Sequence, residues 1–199
     1  MTNFVHDLEI IELRLGEAWE AFVVEKTIHK TANKEVDPTL SEKINRHGAF
    51  WNTVLLALQT TAIAGLYATV DDSSGCVSLD RVLRKVLKLK THTNLKPFQS
   101  DIHTIRARYK PYRNNLFAHA SRDRSKAIDD FNTENFSWDD LERDFHTVDH
   151  IWKVLWAANR GEKLPDKMET PHQHYGHNTA VSAAQKHVER FLQDWKGAG

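Results

Sequence analysis

At 199 residues, 40% of them apolar, the chain can bury one substantial core, and its length leaves little room for a second domain. Its 27 basic and 27 acidic side chains balance, so total charge points to no class of partner and only the placement of charge can inform. Cys76 is the only cysteine, which excludes an intrachain disulfide and a cysteine metal cluster and fits a reducing compartment.

The first residues, Met1 to Glu9, lack the basic-then-apolar pattern of a secretory leader, so a cytoplasmic protein is expected. Phe4, Leu8, Ile11, Leu15, Trp19 and Phe22 then recur at steps of three and four, with Glu9, Glu12, Glu17 and Glu20 off the stripe; this predicts an amphipathic helix. Residues 34–38 form a polar break. A second helix is predicted from Ser41 or His47 to Val70. Its stretch from Gly48 to Val70 carries no charge and is long enough to span a membrane. Asn52, Thr53, Gln59, Thr60, Thr61 and Thr69 are spread through it, and we read it as the central buried helix of a bundle, with no membrane association.

Asp71 to Gly75 is a turn cluster. Ser78 suits an N-cap for a short helix with Leu79, Val82, Leu83, Val86 and Leu87 inward. Pro97 suits the first turn of the next helix, which carries Ile102, Ile105, Tyr109, Leu116 and Phe117. Pro111 inside it removes a backbone donor and should kink the helix before Tyr112. Ser137 with Asp140 resembles a capping box opening a helix with Leu141, Phe145, Val148, Trp152 and Leu155 or Trp156 on one face. Gly161, Pro165, Pro171 and Gly176 mark a long connection before a last helix with Ala184, Val188, Phe191, Leu192 and Trp195. The fold class is therefore all-α, a bundle of about five to six helices. Its domains are residues 1–160 as the bundle and 161–199 as an extended connection plus a C-terminal helix.

Charge is not evenly spread along this chain. Between Arg81 and Lys126 stand thirteen Lys or Arg and only two acids, so this segment carries net +11 and the remainder −11. Two explanations stay open: a polyanionic partner, or a basic helix pair facing acidic helices of the same protein.

Within that basic segment lies Lys110-Pro-Tyr-Arg-Asn-Asn-Leu-Phe-Ala-His119. On a continuous helix Arg113 and His119 lie roughly 60° to either side of Leu116, flanking the apolar seam at its solvent margins. If a second copy packs on this face, both pairs line one shared groove, and Asn114, beside Arg113, is placed to orient a side chain across it. Arg, a polar residue, a short apolar stretch and then His is the pattern of the HEPN superfamily. The wider string resembles its abortive-infection U-type branch. The specific match covers about fifteen residues, and the helical resemblance most of residues 1–160.

The resemblance implies a homodimer, formed along the motif helix, whose paired motifs make a metal-independent endoribonuclease acting in phage defence or as a toxin. Arg113, Asn114 and His119 would be catalytic, RNA the substrate, and an antitoxin or other defence protein a possible partner. No cofactor and no metal are implied. The residue types suit the chemistry. A ribose 2′-hydroxyl must lose a proton as it attacks phosphorus, and the leaving 5′-oxygen must gain one; His119 is the motif's only group that exchanges protons near neutral pH. Arg113 stays charged and offers planar donors to phosphoryl oxygens where charge builds. The 2′-hydroxyl would confine cleavage to RNA and leave a 2′,3′-cyclic phosphate. Arg106, Lys110 and Arg122 are candidate RNA contacts. One departure is Ser121, where HEPN proteins paired with a nucleotidyltransferase commonly have Tyr; it argues against that pairing.

Competing constellations are weaker. His146 and His150 form an i, i+4 pair beside Asp149, and His172, His174 and His177 cluster in the long connection; each suits either a metal or a solvated surface. Trp152, Trp156 and Trp195 read as core or dimer contacts. The alternative function is a non-catalytic HEPN bundle that binds RNA, nucleotide or a protein partner.

Overall fold

The computed structural model describes residues 4–88, 93–113, 137–161 and 177–197. Among these there are seven α-helices, one short 3-10 turn (Thr93–Leu95) and no strand: α1 Val5–Thr31, α2 Pro38–Arg46, α3 Gly48–Val70, α4 Leu79–Lys88, α5 Pro97–Tyr112, α6 Trp138–Arg160 and α7 His177–Gly197. The all-α expectation holds, with more helices than expected. The excess arises at residues 37–47. Asp37 caps α2, its carboxylate accepting the N–H of Leu40 at 3.0 Å with Pro38 in the first turn. His47 then breaks the chain at φ −108°, ψ 32°, so α2 and α3 are separate helices.

The chain groups into two compact units. One comprises residues 1–16 and 63–171, the other 17–62 and 172–199. In the first, Leu8, Ile11, Ile63, Leu66, Leu79, Leu83, Ile102, Phe145 and Trp152 are almost wholly buried. Trp152 also donates its indole N–H to the Leu8 carbonyl at 2.9 Å, so the large apolar ring brings no unpaired donor into the core. In the second, Ile28, Leu40, Trp51 and Leu192 form the centre, with Val24, Ile44, Leu58 and Trp195 packed around them.

The central-helix reading of α3 needs correction. Ala62, Ile63, Leu66, Tyr67 and Val70 are buried, but Phe50 is 61% and Leu56 40% exposed. Only 33% of its most apolar stretch is buried, and it is the one described helix long and apolar enough to cross a membrane. Thr53, Thr60 and Thr61 return their hydroxyls to carbonyls one turn back, which is why a run of threonines sits on a helix without seeking outside partners. Of the apolar residues on the last helix, Phe191 is 54% exposed, while Leu192 beside it is buried.

Candidate functional site

The site is built from the C-terminal end of α5, the end of α3 and the turn that follows it. Spacing of three and then four residues puts Ile102, Ile105 and Tyr109 of α5 into the core. The end of the helix is fixed by a polar clamp onto α6. Asp144, buried, accepts the Tyr109 hydroxyl at 2.9 Å and pairs with the Arg108 guanidinium. Burial, then the adjacent Asp144 charge, pushes the Tyr109 phenol far above its ordinary range, so it stays a protonated donor.

Pro111 does not end the helix. Arg113 keeps helical angles (φ −58°, ψ −44°), and its N–H is shared between the carbonyls of Lys110 and Tyr109. Sharing of this kind is common at helix termini, where donors and carbonyls run out of partners one turn away. Arg113 itself is exposed, and its guanidinium lies 6.0 Å from the centre of the Tyr67 ring on α3. Asn114, His119 and Arg122 lie outside the described residues, as do Leu116 and Phe117. The geometry of the Arg–His pair is therefore read from Arg113 alone.

Arg113 also acts on Asp71, the first residue after α3. Burial opposes ionisation of Asp71, but the N–H and hydroxyl of Ser73 and the charge of Arg113 hold its carboxyl below the ordinary range. Gly75 closes the turn at φ 89°, a left-handed backbone angle that residues with a Cβ rarely adopt.

Of the expected RNA contacts, Lys110 is exposed on the last turn of α5. Arg106 is not placed to serve. Its side chain is 13% exposed, with Nε donating to the Val70 carbonyl at 2.8 Å, Nη1 to Asp72 at 2.7 Å and Nη2 facing Asp80 at 3.0 Å. That guanidinium ties α5 to the end of α3 and to α4.

The basic segment read from the sequence forms a distinct face on α4. Arg81, Arg84, Lys85 and Lys88 follow i, i+3, i+4, i+7, opposite the buried Leu79, Val82, Leu83 and Val86. The spacing was the available signal. Against the 71–76 turn this face encloses a pocket of about 450 Å³.

Among the described residues, no three His, Cys, Asp or Glu side chains gather as a metal cluster. His150 stacks edge-on against Phe98, and burial lowers its pKa below the ordinary histidine value. Trp152 and Trp156 are buried, consistent with core packing.

A family model described as AbiU2, of the HEPN class, matches residues 3–179. No curated protein and no solved structure matches the chain.

Proposed function

Since the chain belongs to the HEPN AbiU2 family, an abortive-infection family, we propose that it is a metal-independent endoribonuclease. One observation carries the reading: Arg113-Asn-Asn-Leu-Phe-Ala-His119 begins where α5 leaves its clamp on α6 and its arginine turns outward.

In this reading Arg113 receives the phosphoryl oxygens as negative charge builds on them. Its location supports the role. The helix beneath it is held by Tyr109 and Arg108 on Asp144, and its guanidinium lies 6.0 Å from the centre of the Tyr67 ring. A donor fixed before the reaction needs no reorganisation during it, and this is where electrostatic catalysis gains most. His119 moves the protons, removing one from the 2′-hydroxyl and returning one to the 5′-oxygen. Asn114 fixes the histidine or a phosphate oxygen. The protein acts as a cytoplasmic homodimer, so two histidines divide the acid and base roles, and an antitoxin or another defence protein restrains it.

The test is cleavage of RNA by purified protein in EDTA, wild type beside Arg113→Ala and His119→Ala, with circular dichroism to confirm folding. The reading expects cutting by wild type alone. Folded variants that cut as fast as wild type, or activity that EDTA abolishes, would remove it; RNA bound but uncut would leave the non-catalytic alternative.

A further inference from the structure

The pocket between α4 and the 71–76 turn has no part in the chemistry above, yet it joins the site. Asp71 lines it and follows Tyr67 by one helical turn, and the Arg113 guanidinium lies 6.0 Å from the centre of the Tyr67 ring. We propose that the basic face of α4, with this pocket, is the surface that holds the RNA backbone and leads the strand to Arg113. The proposal rests on the ribonuclease reading and names where that site takes its substrate.

Charge accounting supports a polyanion here. Arg84 is matched by Asp80, and Lys85 by Asp7 at 2.8 Å. Asp80 also serves Arg106, and Asp72 is taken by Arg106. Arg81 donates only to the Cys76 carbonyl, at 3.4 Å, and Lys88 has no acid partner among the described residues. Asp71 is buried and turned onto Ser73. Thus Arg81 and Lys88, at the two ends of the row, carry charge that no acid among the described residues matches, and both are exposed. Their separation of seven residues is about 10 Å along the helix. Regular cations over such a length suit a phosphodiester backbone, whose charges also repeat. Arg113, over the ring of Tyr67 one helical turn before the pocket-lining Asp71, then receives one phosphate of that strand. Within the +11 segment, this row is matched in part by Asp7 and Asp80, and in part it is exposed.

The experiment measures binding and cleavage separately. The full-length protein is titrated into a fluorescein-labelled single-stranded 2′-O-methyl RNA, which it cannot cut, and anisotropy gives affinity across a salt series. Arg81→Gln/Lys88→Gln is compared with wild type and with Lys186→Gln/Arg190→Gln, the same charge change on exposed residues of α7. Two lost phosphate contacts should reduce the slope of log affinity against log salt by about 1.4, at about 0.7 each for a single strand. The α7 variant should keep the wild-type slope. With unmodified RNA, KM should rise and kcat change little. If Arg81→Gln/Lys88→Gln fails to fold, Lys88→Gln alone should reduce the slope by about 0.7. An unchanged slope, or an equal loss in the α7 variant, overturns the surface even if wild type cuts RNA normally. Absence of cutting with the slope reduced as expected would instead sink the ribonuclease reading and leave the surface standing. A polyglutamate peptide bound as tightly as the RNA, and weakened equally by Arg81→Gln/Lys88→Gln, would overturn the RNA assignment in favour of an acidic polypeptide.

Discussion

Arg113 is the described residue on which the proposed chemistry turns, and lysine is the informative replacement for it. Lysine keeps the charge but loses the planar pair of donors. Arg113→Lys should keep RNA affinity within a few-fold and lower the single-turnover cleavage rate by about 100-fold, the scale of losing one transition-state donor. Two further residues report on stability. Asp144 is buried and holds Tyr109 and Arg108, so Asp144→Ala strands a buried phenol and a guanidinium. Breaking a buried pair costs about 3–5 kcal/mol. Arg108 is about a third exposed, so solvent reduces this to roughly 2 kcal/mol. Thermal unfolding should therefore fall by about 4–8 °C.

Glu25 behaves in the opposite sense. It is buried, one carboxylate oxygen has no hydrogen-bond partner, and burial raises its pKa despite the nearby His29. A folded value above the unfolded 4.5 means the folded chain holds that proton more tightly. The resulting stability is full below pH 4.5 and is lost as pH rises through the folded value. Glu25→Gln should accordingly melt higher than wild type at pH 8, by about 2–4 °C, and the difference should close toward pH 4. A constant difference across that range would show that the carboxylate charge is not the cause.

Helix α6 shows what an element owes to its first residue. Ser137 accepts the N–H of Asp140 at 3.2 Å, and Gly161 ends the helix at φ 69°. Ser137→Ala should cost about 1 kcal/mol and lower the melting temperature by about 2–4 °C. The serine half of this capping box was legible in the sequence. The carboxylate half was not, because Asp140 turns to Arg143 instead. The stripe from Phe4 to Phe22 was legible in full: all six residues are buried, as a three-four spacing demands when one face of a helix is covered. The break at His47 was legible only as one of two possible starts for the second helix, Ser41 or His47, and the separate helix that precedes it was not foreseen. Nor does an uncharged run say which of its faces is covered, so the exposure of Phe50 and Leu56 on α3 had no mark in the sequence. At the site, the motif string and its flanking basic residues could be read directly. The burial of Arg106 could not, because its three acceptors come from residues 70, 72 and 80, brought close only by folding.

For the molecule as a whole, the two compact units are each drawn from separated stretches of chain, and α1 and α3 contribute residues to both. Two chains are expected to share the proposed site, so light scattering should return twice the 23.0 kDa chain mass. A monomer at the concentrations where RNA is cut would remove the shared site while leaving cleavage itself intact. The central claim is that this HEPN AbiU2 chain cuts RNA through the 2′-hydroxyl of its substrate. The most direct test gives the wild-type protein, in EDTA, an RNA oligonucleotide and the same strand with a single 2′-deoxy sugar at the cleaved position, and identifies the product ends. The account predicts a 2′,3′-cyclic phosphate and a free 5′-hydroxyl from the first, and no cut at the substituted position in the second. Cleavage at the deoxy position, or products ending in 5′-phosphate, would contradict it.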